Sequence, residues 1–220
     1  MIPLQITAHL QVGVISDAYL PIDGLFYYIV HRDALNDRDV TRPGRSRFDG
    51  HPPSHQAIAM AMPLAKHHRD QPDWFFAASF AQWDDPVATG TDHWTKRFDQ
   101  RHSDLIDFGS RRGRIITEQA QYKSYHMPVF YRHALRVRWY VVGDFDRITY
   151  LLRFARNLGK KTAQGYGAVL RWDVQPWHAD WSIYDDDGRL MRAIPDDSGT
   201  TYGIRPSYWL NENQTRCKLP

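Results

Sequence analysis

The chain has 220 residues, 42% of them hydrophobic and 24% charged, a composition typical of a globular protein with a buried core. No apolar run reaches the ~20 residues that span a membrane. The first ten residues, MIPLQITAHL, lack the basic start and the cleavage site of a signal peptide. The single cysteine, Cys217, excludes an intramolecular disulfide and a multi-cysteine zinc site. We therefore expect a cytoplasmic protein.

Positive charge is concentrated in the middle of the chain. Residues 96–171 contain 16 Lys and Arg against 6 Asp and Glu, a balance of +10, whereas the remainder contains 12 against 19, a balance of −7. Such asymmetry predicts a surface that binds a polyanion. The alternative interpretation is a solvated charged face without a ligand.

The first elements are a strand and a helix. Residues 4–14 alternate between apolar and polar side chains, the pattern of a half-buried strand. Pro21 then begins a predicted helix, whose apolar residues at helical spacing are Ile22, Leu25, Phe26, Ile29 and Val30. Residues 36–56 are polar and rich in proline and glycine, which indicates a loop. His51 and His55 lie in it, but no carboxylate spacing accompanies them, so we expect no metal site.

A long segment without a core pattern follows a second predicted strand, Trp74–Trp83. Residues 84–131 are interrupted by proline and glycine, and they interleave cations with aromatic residues. We interpret them as a basic insertion projecting from the domain, the alternative being a mobile surface loop. The cations are Lys96, Arg97, Arg101, Arg111, Arg112, Arg114 and Lys123, and the aromatic residues are Trp94, Phe98, Phe108, Tyr122 and Tyr125.

Residues 134–142 form the clearest later strand. Its odd-numbered residues are apolar, whereas Arg136, Arg138 and Tyr140 line the other face. Two arginines and a tyrosine on one face can hold phosphates and stack bases, although charge that merely blocks an exposed face is an alternative. Asp144 then caps a predicted helix whose apolar spacing continues to Leu158.

The segment GKKTAQGYG at 159–167 joins this helix to a predicted strand at 168–174. Glycine permits positive φ and a close backbone approach, and N–H groups freed in such a turn can bind an anion. Lys160 and Lys161 add positive charge, so the loop suits a phosphate backbone. The alternative is a glycine that caps the helix, followed by an ordinary turn. Beyond it, residues 181–192 indicate a hairpin around Asp185–Gly188, and the tail lacks periodicity.

The order of elements predicts an α+β architecture. Without the insertion it reads β-α-β-β-α-β, a ferredoxin-like, RRM-like domain with both helices on one sheet face. We assign residues 1–83 and 132–220 to this domain and residues 84–131 to an inserted basic thumb. The opposite sheet face, which includes Arg171, is then left for a ligand or partner.

These motifs resemble the RAMP superfamily of CRISPR-associated proteins, whose ferredoxin-like domains carry a glycine-rich loop after the last core helix. The run from WYVVGD through the helix to GKKTAQGYG and GAVLRWDV carries this resemblance. Within the superfamily, the chain is similar to the handle-capping, Cas-five-like subunits of type IV CRISPR–Cas complexes. The segments PLQITAHL, PIDGLF, YKSYHMP and RPSYW, spread over nearly the whole chain, support that similarity.

The resemblance implies a non-catalytic subunit that binds the 5′ repeat-derived handle of a CRISPR RNA (crRNA) in an antiviral ribonucleoprotein complex. It implies contacts with the backbone filament subunits and the large subunit, and only indirect contact with target DNA. By analogy the loop residues Lys160, Lys161, Gln164, Gly165 and Tyr166 contact the handle, and residues 94–126 supply the thumb. The N–H groups of Gly165 and Gly167 are then expected to approach bases or sugars.

An enzyme is the main alternative, because some RAMP relatives cleave precursor crRNA with a histidine acid or base. Metal-independent cleavage needs a base near the 2′-OH and an acid near the leaving oxygen. His102, His126 and His133 lie in or beside the basic insertion, but their spacing compels no catalytic pair. The sequence has no aromatic RNP1-like signature of a general RNA-binding module. Its basic half also has no carboxylate cluster of the kind that a metal-dependent nuclease needs. We expect no cofactor.

Overall fold

The computed structural model describes residues 1–34, 54–107, 109, 115–118 and 122–220. Most of the predicted loop at 36–56, including His51, lies outside them, as do Phe108, Arg111, Arg112 and Arg114. In chain order the elements are β1 (Ile2–Leu10), α1 (Ile22–Ala34), α2 (His55–Ala61), β2 (Lys66–His67), β3 (Phe75–Phe76), β4 (Gln82–Trp83), β5 (Ala88–Lys96), β6 (Tyr125–His133), β7 (Arg136–Gly143), α3 (Phe145–Leu152), β8 (Val169–Pro176), β9 (Ile194–Gly203) and β10 (Gln214–Lys218). This mixture confirms the predicted α+β class.

A four-stranded antiparallel sheet in the order β4-β7-β1-β8 forms the centre of the protein. Ile6 on β1 lies opposite Trp139 on β7 and Val174 on β8. The alternation predicted for the first strand places its even-numbered residues in the core, where Leu4 and Ile6 are fully buried. Because side chains alternate across a strand, this register aligns the apolar residues of neighbouring strands on one face.

Both long helices cover that apolar face. Phe26 and Ile29 of α1 and Ile148 and Leu151 of α3 are buried in one cluster with the sheet residues. The predicted cap is confirmed, since the backbone N–H of Arg147 donates to Asp144 Oδ1 at 2.9 Å. The cap and the packing against the sheet together fix the start of α3.

The predicted extension of this helix to Leu158 is wrong. The helix α3 ends at Leu152, and the N–H of Ala155 bonds to the carbonyl of Leu152 in a tighter turn at 3.1 Å. The chain then pairs with residues 167–169, and the N–H of Leu158 donates to the carbonyl of Gly167 at 2.8 Å. Ala155 and Leu158 are nevertheless buried, so the spacing identified core residues but not the helix end.

The other sheet face is more buried than its polar residues predict. Gln5 and Thr7 of β1 are buried, as is Tyr140, for which an exposed position was predicted. The ring of Tyr140 packs against Trp177 and Trp181, with centroids 5.3 and 4.7 Å away. These tryptophans cover part of the face that was expected to remain open.

The predicted strand Trp74–Trp83 is interrupted. Only the short strands β3 and β4 form within it, and β3 pairs with β2 rather than with the central sheet. Between them, the buried guanidinium of Arg192 donates to the carbonyls of Phe76 and Ala78, and Phe80 N–H donates to Met191 O at 2.8 Å. The backbone at 76–80 therefore bonds partly to the tail instead of continuing a regular ladder.

The tail contains a hairpin that its sequence pattern does not predict. Strands β9 and β10 pair with each other and cover a second apolar cluster around Phe75, Phe80 and Cys217. The predicted turn at Asp185–Gly188 is confirmed, since Gly188 N–H donates to Asp185 O at 3.0 Å. Across the described ranges, no helix has the length and apolar character needed to cross a membrane.

Arg192 gives a test of this packing. The guanidinium is 1% exposed, donates also to Ile204 O at 2.8 Å and lies in the field of the buried Asp23 carboxylate. Arg192→Met leaves those acceptors unsatisfied, so we expect the free energy of unfolding to fall by about 3–5 kcal/mol. Urea denaturation measures it.

Arg189→Met is the matched control. The Arg189 side chain is exposed and pairs with Asp185, so its removal is expected to change stability by about 1 kcal/mol or less. Equal destabilisation by the two substitutions would contradict a structural role for the buried guanidinium.

Candidate nucleic-acid interface

The glycine loop at 159–167 is held at both ends by the segment that follows β1. The N–H of Lys160 donates to Ile15 O at 2.6 Å, and that of Gly167 donates to Gly13 O at 2.8 Å. Gly159 has φ +74° and Gly167 has φ +70°, and a Cβ at either position would collide with backbone. Since α3 ends at Leu152, Gly159 does not cap that helix, which excludes the alternative of an ordinary helix cap.

The backbone N–H groups of Gly165 and Gly167, which were expected to face a ligand, already donate to carbonyl groups of the protein. The N–H of Gly165 bonds to Thr162 O at 3.0 Å, closing a short 3-10 turn over Thr162–Gln164, and the N–H of Gly167 bonds to Gly13. Neither N–H group is therefore free to bind a base or sugar in this conformation, and the contact of Gly165 with RNA stays a prediction. What the loop exposes is side chains, including Lys160 and Gln164.

The basic insertion contains a two-stranded antiparallel ribbon formed by β5 and β6. Their register runs from Ala88 opposite His133 to Lys96 opposite Tyr125. Alternation places Trp94, Lys96 and Tyr125 on one face of the ribbon. The division of the chain into a core domain and a thumb at 84–131 stays a prediction.

The glycine loop lies directly against that ribbon face. The ammonium of Lys161 is 3.7 Å from the ring centroid of Trp94, and the hydroxyl of Tyr166 donates to Asp92. The Tyr166 hydrogen bond holds the pKa of the Asp92 carboxyl below its usual range, and the same bond raises the pKa of Tyr166 to about 12. The loop and the ribbon, far apart in sequence, thus meet at one surface.

Cations and aromatic rings alternate along this loop–ribbon surface, which we define by Trp94, Lys96, Tyr125, Lys161 and Tyr166. The rings of Trp94 and Tyr125 are 4.9 Å apart, and the Lys96 ammonium is 5.6 Å from the Tyr125 centroid. Aromatic faces stack on bases and ammonium groups neutralise phosphates, so this order suits unpaired nucleic acid.

Two other predicted contacts flank the distal end of the ribbon. Arg97 follows β5 and Lys123 precedes β6, and both are exposed. The sequence pattern predicted Trp94 as one of the interleaved aromatic residues but not as a site residue, and it gave no signal for Asp92. Only the strand register shows that both side chains face the loop.

The arginines of the central sheet are arranged differently. Arg136 and Arg138 both pair with Asp84, at 2.9 and 2.5 Å. The hydrogen bond to Asp84 raises the pKa of Arg138. Lys160 also has an acidic neighbour, Asp17 Oδ1 at 2.6 Å, but both side chains of this pair are exposed. A ligand must compete with these carboxylates.

The candidate histidines do not converge on one point. His126 stacks on His93 with centroids 4.4 Å apart, and its Nδ1 lies 2.8 Å from Thr95 Oγ1. His133 is seven residues further along β6, which places it roughly 23 Å away and on the opposite face. His102 is exposed in a separate 3-10 helix. In the described part of the chain, no group of three or more His, Cys, Asp or Glu is placed to hold a metal ion.

A comparison with protein families gives a match over nearly the whole chain. A sequence profile of the family described as CRISPR type IV associated protein Csf3 matches residues 2–220. No curated protein matches the chain. The profile match extends over the core, the ribbon and the glycine loop alike, and it confirms the resemblance recognised from the sequence.

The tight packing at the end of the glycine loop can be tested with two alanine substitutions. Gly167→Ala places a Cβ against the carbonyl of Leu158 at positive φ, so we expect unfolding free energy to fall by about 3 kcal/mol. Gly165→Ala is the control, because it has φ +93° but open space around it, and about 1 kcal/mol is expected. Chemical denaturation compares the two variants. Equal destabilisation would show that Gly167 is not packed tightly against the backbone of Leu158.

Proposed function

We propose, since the chain belongs to the family of CRISPR type IV associated protein Csf3, that it is a non-catalytic subunit that binds the 5′ handle of crRNA. Csf3 is the Cas5-like subunit of type IV systems. The loop–ribbon surface grips unpaired handle RNA, with ammonium groups on phosphates and aromatic rings on bases. Neighbouring backbone subunits and the large subunit complete the complex.

The topology supports a ferredoxin-like, RAMP-type fold. The four central strands occur in the order second, third, first, fourth when β1, β4, β7 and β8 are counted along the chain. All neighbours are antiparallel, and α1 and α3 occupy the two crossovers on one face. This is the arrangement expected of a β-α-β-β-α-β unit. Fold alone does not assign a function, so the site carries the proposal.

The main observation in support of RNA binding is the contact between the Lys161 ammonium and the Trp94 ring. This contact joins the cationic loop to the aromatic ribbon, so one RNA strand can touch both. Stacking contributes about 1–3 kcal/mol per base, and it tolerates different sequences. Phosphate contacts add affinity that weakens with salt.

Catalysis is not part of the proposal. A metal-independent ribonuclease needs two groups that act on one phosphodiester, whereas His126 and His133 lie on opposite ribbon faces, about 23 Å apart along the strand. The side chain of His126 is also engaged with His93 and Thr95.

Incubation with labelled repeat RNA, with and without EDTA, tests the proposal. We expect the RNA to bind and to remain intact under both conditions, while an unrelated RNA of equal length binds more weakly. Cleavage that His126→Ala or His102→Ala abolishes would establish an endoribonuclease instead. Absence of binding would remove the RNA-binding role.

The salt dependence of affinity tests the loop itself. Lys160→Ala combined with Lys161→Ala should weaken handle binding and flatten the slope of log affinity against log salt, by about 0.7 for each phosphate that the variant no longer neutralises. Arg216→Ala with Lys218→Ala removes the same charge from exposed positions on β10 and serves as the control. An unchanged slope in the loop variant would show that these lysines do not contact phosphate.

A further inference from the structure

A cleft of about 780 Å³ lies on the other side of the glycine loop. Its lining includes Gly159, Lys160, Thr162 and Ala163 of the loop, together with residues of α1. Its floor is apolar and includes Ile22, Leu25, Ile29, Phe154 and Leu158. The loop is therefore a ridge, with the ribbon on one side and this cleft on the other. Its volume falls within the ~300–1,000 Å³ range of ligand pockets.

Large aromatic side chains stand exposed at the rim of the cleft. Trp209 is 75% exposed and Tyr28 is 47% exposed, and both line the cleft. Neither ring belongs to the two buried apolar clusters, so both keep a large exposed surface beside the cleft. An exposed ring beside a concave apolar surface is the arrangement that captures a flat, unstacked base.

The rim also carries positive charge. Arg156 is exposed and lines the cleft, and it has no ion-pair partner among the residues that the structure describes. Lys160 lines the same rim, where Asp17 is its neighbour. Asn157 donates its amide N–H to Tyr166 O at 3.3 Å, which leaves its carbonyl oxygen as an acceptor. Together these groups can bind the parts of a nucleotide: the cations its phosphate, the amide oxygen a base N–H group and the aromatic rings the face of the base.

We propose that this cleft holds one unstacked nucleobase of the bound RNA, with the adjoining phosphate on Arg156 and Lys160. The inference rests on the proposed function and adds a specific subsite to it. A strand running over the loop ridge reaches the ribbon on one side and turns a single base into the cleft on the other. The rim cations favour a phosphate-bearing occupant over an apolar side chain of a partner protein.

Abasic substitution combined with mutation tests the subsite in the full-length protein. An abasic site at one handle position should lower wild-type affinity roughly 5- to 150-fold, the effect of removing one base stack. Trp209→Ala should lower affinity for intact RNA by a similar factor. The two changes together should lower it no further, because both remove the same interaction.

Two further variants and a folding check serve as controls. Tyr184→Ala removes an exposed ring from the 181–192 hairpin, whose residues are not among those lining the cleft, and should show no coupling with any abasic position. Arg156→Gln should reproduce the coupling at the neighbouring phosphate and reduce the salt slope by about 0.7. Thermal unfolding checks that each variant is folded, as expected for exposed side chains.

Additive effects at every position, with wild-type binding intact, would overturn the cleft inference and leave the proposed function standing. Unchanged RNA affinity of Trp209→Ala, together with weaker assembly with partner subunits, would assign the cleft to a protein side chain and also overturn it. If wild-type protein does not bind handle RNA, both proposals fall.

Discussion

The double attachment of the glycine loop is the constraint on which the rest of the site depends. The backbone of the loop is tied to the segment 13–15, and its side chains reach the ribbon through Lys161 on Trp94 and Tyr166 on Asp92. The glycines at 159 and 167 permit this path because their positive φ and tight surroundings exclude a side chain. Without the attachment, cations and rings would lie on independent elements, and a ligand would bear the entropic cost of ordering them.

Ion pairs reduce the number of cations in the basic half of the sequence that are available to bind phosphate. The balance of +10 counts only acids within residues 96–171, but several cations there pair with acids from outside that range. The pairs are Arg136 and Arg138 with Asp84, Arg147 with Asp33, Lys160 with Asp17 and Arg171 with Asp173. The sheet face is therefore less positive than the sequence predicts. The loop, the ribbon and Arg156 are the better candidates for phosphate contacts, since their cations are exposed or lie on aromatic rings.

Sequence periodicity predicted the core and the first helix well, because burial of one face requires a repeating apolar pattern. It identified Ala155 and Leu158 as core residues, yet it placed them in a helix, since burial spacing alone cannot show where the hydrogen-bond ladder ends. The buried Arg192 donates to the backbone at Phe76 and Ala78 and to Ile204 immediately after β9, and no local pattern predicts these long-range contacts. Likewise, composition indicated a basic and aromatic insertion, but only the register of β5 and β6 shows that Trp94 and Asp92 face the loop.

Photocrosslinking tests the central claim most directly. Repeat RNA carrying 4-thiouridine at successive handle positions would be bound to the full-length protein, irradiated and mapped to peptides. Adducts on residues 88–96 and 159–167 within one complex are the predicted result, because one strand spans the loop and the ribbon. Adducts confined to the sheet face around residues 136–140 and 171–177, with none on the loop or the ribbon, would contradict the account.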